Sequence, residues 1–193
     1  MMRGMVILNL LKISYINSKI ISLSRPKPKQ LLTIGVLAGL FLIFALIFFP
    51  WANDYCFNDN TGLHIIDVHV QKCGVNGLFD GPYVEEAALK YRDGKYEKSF
   101  LIVDTIFPIV YSLLFISLIS VRETKYHVLF VALIVAGALF DYGENFSFLY
   151  YLHHPSPRQA GIVAFFTSIK SILFPANIIL ALFLFVRGLI KKH

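Results

Sequence analysis

LLTIGVLAGLFLIFALIFF, residues 31–49, is a run of 19 residues without a single charge. As a helix rising about 1.5 Å per residue it extends about 28 Å, close to the hydrocarbon thickness of a bilayer. Pro50 and Trp51 close the run, and Trp is a common anchor at the membrane–water interface. Working outward, three more apolar stretches follow. One covers about residues 100–121 and is interrupted by Asp104 and Pro108, one about 127–151, and one about 160–190 with Pro175 inside it. With the first span at about 31–50, the chain reads as an all-α membrane protein. The expected fold is a four-helix transmembrane bundle with an extracytoplasmic loop and helix cap, residues 51–99, between helices 1 and 2. A basic segment, residues 1–30, precedes the membrane domain, residues 31–193.

Composition agrees with one membrane domain. Of 193 residues 56% are hydrophobic and 16% charged, and the mean hydropathy of +0.65 exceeds what a soluble fold of this size needs. The net charge of +6 is a matter of placement. Six basic residues (Arg3, Lys12, Lys19, Arg25, Lys27, Lys29) precede the first span with no acid among them. Arg122 and Lys125 lie between the second and third spans, and Arg187, Lys191 and Lys192 follow or end the fourth. The residues from Trp51 to Lys98 instead carry eight acidic and five basic side chains. The positive-inside rule therefore puts both termini in the cytoplasm and the protein in the plasma (inner) membrane. The partners implied are membrane lipids and no nucleic acid, and a homo-oligomer is left open. The first span reads as an uncleaved anchor, because no small-residue cleavage pattern follows it. Residues 5–24 suit either a helix in the cytoplasmic interface or a basic tail.

The outer loop holds Cys56 and Cys73, the only two cysteines. Outside the cytoplasm a structural disulfide is the first reading. Thiol–disulfide exchange, as in four-span quinone-linked oxidases, would need a closely spaced redox pair, and no C-x-x-C is present. From Pro82 to Tyr91 the loop reads as a short helix, with proline and acids near its start and Gly94 as a stop. Tyr91 and Tyr96 would lay it over the membrane surface. His64, Asp67 and His69 share this loop, and His153 and His154 the other outer one, but their spacing matches no metal signature. No metal and no cofactor are expected. A phosphate-binding glycine loop, G-x-S-x-G and H-E-x-x-H are all missing from the sequence.

The most informative residues are charges inside the spans. An ionisable group in a span is costly unless paired or hydrated, so it normally faces the bundle interior. Counted along the helical rise from the outer ends, Asp104 lies about 6 Å deep, Asp141 about 15 Å, Glu144 about 10 Å and Lys170 about 14 Å. All four fall in the outer half of the bilayer. Their faces agree too: Asp141, Glu144, Asn145 and Phe148 share one side of the third helix, as do Asp104, Phe107, Pro108 and Tyr111 on the second. Thr167, Lys170, Ser171 and Phe174 form the matching stripe on the fourth. Three acids against one lysine leave surplus negative charge, which a bound proton would relieve.

The strings Tyr91-x-x-Gly94-x-Tyr96, Asp104-x-x-Phe107-Pro108-x-x-Tyr111, Asp141-x-x-Glu144-Asn145 and Phe166-Thr167-x-x-Lys170 resemble a group of small, uncharacterised bacterial four-span membrane proteins with an intramembrane D-x-x-E-N motif. The resemblance covers roughly residues 83–175 and implies one polar site drawn from three helices; it implies no activity. In outline the long first loop also resembles claudin-like proteins, whose Gly-Leu-Trp and paired cysteines are missing from this chain. Three readings of the charges stand. One is a lipid- or isoprenoid-handling site with Asp141 and Glu144 as acid/base candidates, Asp104 as a further carboxylate and Lys170 as charge partner. In it Asn145 and Thr167 orient the ligand or the network, and Tyr111 and Tyr96 are further binding candidates. The others are a polar clamp in a non-catalytic assembly protein and a proton relay in a small transporter.

Overall fold

The computed structural model describes residues 26–51, 78–91, 101–121 and 124–190. Cys56, Cys73, His64, Asp67, His69, Gly94, Tyr96 and the basic segment before residue 26 lie outside the described residues. Within them the chain forms five helices. α1 (Pro28–Ile43) continues through a π-helical turn at Phe44–Phe48 as far as Trp51. α2 (Gly81–Tyr91) is short; α3 (Leu101–Ile119), α4 (His127–His153) and α5 (Pro157–Ile190) are long. Four of the five (α1, α3, α4 and α5) are long and apolar enough to cross a membrane. The chain is a multi-pass, all-α membrane protein, and each observed span agrees with its sequence-predicted range to within a few residues.

Local chemistry sets the helix limits. Pro28 opens α1, where its fixed φ suits the first turn and its missing N–H is not needed. Lys27 is extended there (φ −64°, ψ 145°), and its carbonyl accepts the first bonds, from Gln30 and Leu31. Pro157 opens α5 in the same way, with Ser156 Oγ accepting from the Gln159 N–H.

The spans are not equivalent. α4 and α5 pack along most of their length, and α3 lies against both. α1 packs chiefly on α3, through rings: Phe41, Phe44 and Phe49 meet Phe107 at centroid distances of 5.3, 5.9 and 4.9 Å. The bundle is therefore an α3–α4–α5 core with α1 on its flank. Two apolar clusters fill it. One, at the α2 end, gathers Val84, Ala87, Ala88, Val103, Phe148, Tyr151, Ala160 and Val163. The other, toward the far end, gathers Ile34, Leu114, Phe115, Leu118, Ile134, Ala181 and Leu184. Here the structure departs from the sequence expectation for the short helix: α2 buries one face in the core and packs on α5, rather than resting only on a membrane surface.

Candidate functional site

Between the two apolar clusters lies a polar layer. Asp141 and Glu144 are one turn apart on α4, both nearly fully buried. Facing them on α5, Lys170 places its ammonium 3.2 Å from Asp141 Oδ1 and in an ion pair with Glu144 Oε2. The remaining oxygens are also engaged. The Tyr111 hydroxyl of α3 donates to Asp141 Oδ2 at 3.1 Å, and Thr167 Oγ1 of α5 lies 2.5 Å from Glu144 Oε1. Three helices thus converge on one carboxylate–lysine triad, with Lys170 itself only 7% exposed.

Thr167 adds a chemical option. Its single hydroxyl proton has two acceptors in reach, Glu144 Oε1 and the Val163 carbonyl at 3.0 Å. With Glu144 ionised the hydroxyl donates to the carboxylate. With Glu144 protonated, the acid can donate to Thr167, which then donates to Val163. The same heavy-atom geometry accommodates both proton arrangements, as an acid–base group requires.

Asn145 acts on α3 rather than on the triad. Pro108 has no N–H, so the Asp104 carbonyl one turn back in α3 lacks its usual partner. Asn145 Nδ2 donates to that carbonyl at 3.2 Å. In lipid a freed carbonyl needs such a replacement, and a neighbouring helix commonly supplies it. One turn before it on α4, the Tyr142 hydroxyl donates to the Thr105 carbonyl at 2.9 Å. Asp104 itself is buried and reaches α4 through this main-chain contact.

Close helix approach makes the layer possible. A Cβ on Gly143 would run into the Phe166 ring of α5, so the glycine lets that ring lie flat against α4 at the crossing. Below the triad, Tyr111 meets Phe174 edge-on at 5.0 Å and Phe107 at 5.3 Å, which closes that side with aromatic rings.

Of the residues singled out from sequence, Asp141, Glu144, Lys170, Thr167 and Tyr111 meet in one network, and Asn145 and Asp104 meet beside it. Three contributors were not anticipated: Tyr142, Ser168, whose Oγ accepts from the Phe79 N–H, and Asn177, whose Nδ2 donates to the Leu133 carbonyl. Their signal was available in principle, as hydroxyl and amide side chains within otherwise apolar spans. Comparison of the chain with protein-family models, with curated proteins and with solved structures finds no match.

Proposed function

We propose that this membrane protein handles a lipid- or isoprenoid-class molecule at the Asp141–Glu144–Lys170 triad, in the outer half of the plasma membrane. Both termini lie in the cytoplasm on this reading. The observation that carries it is two carboxyl groups of one helix sharing a single ammonium of the next, deep within the spans. Lys170 is the charge partner of the two carboxyl groups. Asp141 and Glu144 are the acid–base pair, and Thr167 and Tyr111 orient them. Asn145, through the Asp104 carbonyl, holds α3 and hence Tyr111 in register.

A second reading, a polar clamp in a non-catalytic assembly protein, is favoured by the closure of the network. Lys170, Tyr111 and Thr167 satisfy the triad with groups of the chain itself. Native mass spectrometry of protein released from lipid nanodiscs, wild type beside Asp141→Asn, separates the two. A discrete lipid-sized adduct on the wild type that disappears from the folded variant is the expected result. Wild type without an adduct, beside a variant that unfolds, would support the clamp instead.

A further inference from the structure

The turn that leads into α2 sits at an unexpected height. Its residue Phe79 donates its N–H to Ser168 Oγ at 2.7 Å. Ser168 is completely buried on α5, between Thr167 and Lys170, so the turn stands level with the triad. Ser168 is eleven residues from the start of α5 at Pro157, about 16 Å along the helix. Its neighbour Thr167 meets Glu144, nine residues and about 14 Å from the end of α4 at His153. The adjacent Asn145 meets Asp104, three residues and about 5 Å inside the first described turn of α3. All three spans extend past the turn toward the α2 end.

We propose that the turn at residues 78–80 is a re-entrant wedge, with the Phe79 ring lying among lipid acyl chains. Irregular backbone at hydrocarbon depth must find partners within the protein. Ser168 supplies one: its hydroxyl proton goes to the Ala164 carbonyl at 2.7 Å, leaving an oxygen lone pair for the Phe79 N–H. The Phe79 carbonyl accepts from Gly81 at 3.1 Å, and Asp80 Oδ1 accepts from the Tyr83 N–H at 3.2 Å. The backbone of Phe79 is left-handed (φ 59°), a conformation rarely adopted by a bulky aromatic residue. Its effect is to leave the ring 55% exposed while the main chain stays against α5.

The occupant follows from the surroundings. Phe79 pairs with Phe165 at 6.3 Å, and Phe165 continues through Phe166 to Phe140. On the same spans, Leu139, Phe146, Phe165 and Ile172 are exposed and apolar, so the ring extends a lipid-facing belt. Behind the turn, Val84, Ala87 and Ala88 are buried in the core and anchor the wedge. This inference does not depend on the proposed ligand chemistry of the triad.

Trp51 is the only tryptophan, so a single reporter is available. The full-length Trp51→Phe/Phe79→Trp protein is reconstituted with phospholipids brominated at defined positions along the acyl chain. Quenching should be strongest from mid-chain bromines and weak from aqueous iodide; the reverse order would overturn the wedge. Adding Ser168→Ala should shift the reporter toward shallower bromines, and an unchanged depth would overturn the role of Ser168 in holding the wedge. Should Phe79→Trp not fold, the unsubstituted protein is photolabelled with a phospholipid carrying a diazirine at mid-chain. Adducts on the peptide containing Phe79 are expected, and adducts there from a head-group diazirine alone would refute the proposal.

Discussion

The α4–α5 seam holds polar groups at two heights, and the two contacts are built differently. Toward the far end, one neutral amide does the work: Asn177 Nδ2 donates to the Leu133 carbonyl at 3.2 Å. Gly137 permits this, since a Cβ there would stand 2.9 Å from the same nitrogen. Toward the α2 end the seam instead carries two carboxyl groups, an ammonium and a threonine hydroxyl, joined by Tyr111 from α3. Interhelical hydrogen bonds in lipid contribute about 0.6 kcal/mol on average, and small residues already bring the helices together. The far contact shows that a neutral side chain can bridge these two helices. A hydrogen bond across the seam does not call for charge, and the charges of the layer nearer α2 are the argument for the proposed site.

The comparison can be broken most severely at Lys170. Lys170→Met leaves Asp141 and Glu144 buried without their shared ammonium, and the expected loss is about 3–5 kcal/mol. Reversible unfolding in bicelles, followed by steric trapping, measures it. A loss no greater than the fraction of a kcal/mol typical of an interhelical amide would put the two contacts on one footing.

A smaller effect sharpens the role of Asn145. Pro108→Ala restores an N–H for the Asp104 carbonyl within α3, so the amide of Asn145 becomes redundant there. Asn145→Leu should therefore cost less in the Pro108→Ala background than in the wild type, with a coupling of about 1 kcal/mol in a double-mutant cycle. Strictly additive costs would assign Asn145 to something other than this carbonyl.

The smallest change is expected at the neutral contact. Asn177→Leu should cost about 0.6 kcal/mol in the same unfolding measurement and leave any lipid adduct intact. A loss approaching that of Lys170→Met would show that the neutral contact fastens the seam as strongly as the charged layer does.

Much of this was legible in the residues. The four spans follow from apolar runs long enough for a bilayer. Depth counting placed Asp141 and Lys170 at matching heights, and they stand 3.2 Å apart. The helical stripe Asp141, Glu144, Asn145, Phe148 is buried along its whole length. The partner of Asn145 was less visible, because it is a main-chain carbonyl created by a proline on another helix; only a reading that counts freed backbone groups would find it. The flank position of α1 was not legible, since an evenly apolar helix does not show which side faces protein. Nor was the descent of the Phe79 turn, because a short polar-flanked helix between spans reads as a surface element. Its height is set by tertiary contacts with Ser168 and the Gly161 backbone, which leave no periodic trace.

The most direct test removes charge while keeping shape. Asp141→Asn, Glu144→Gln and Lys170→Met combined leave acceptors for Tyr111 and Thr167 but no ionisable group in the triad. Removing all three charges together leaves no uncompensated buried charge, the main cost of the single Lys170→Met substitution. The combined variant should therefore still assemble and lose less stability than Lys170→Met, yet lose the lipid-sized adduct in native mass spectrometry. A combined variant that keeps the adduct, or one that no longer assembles, would contradict the assignment of the charged layer as a ligand site.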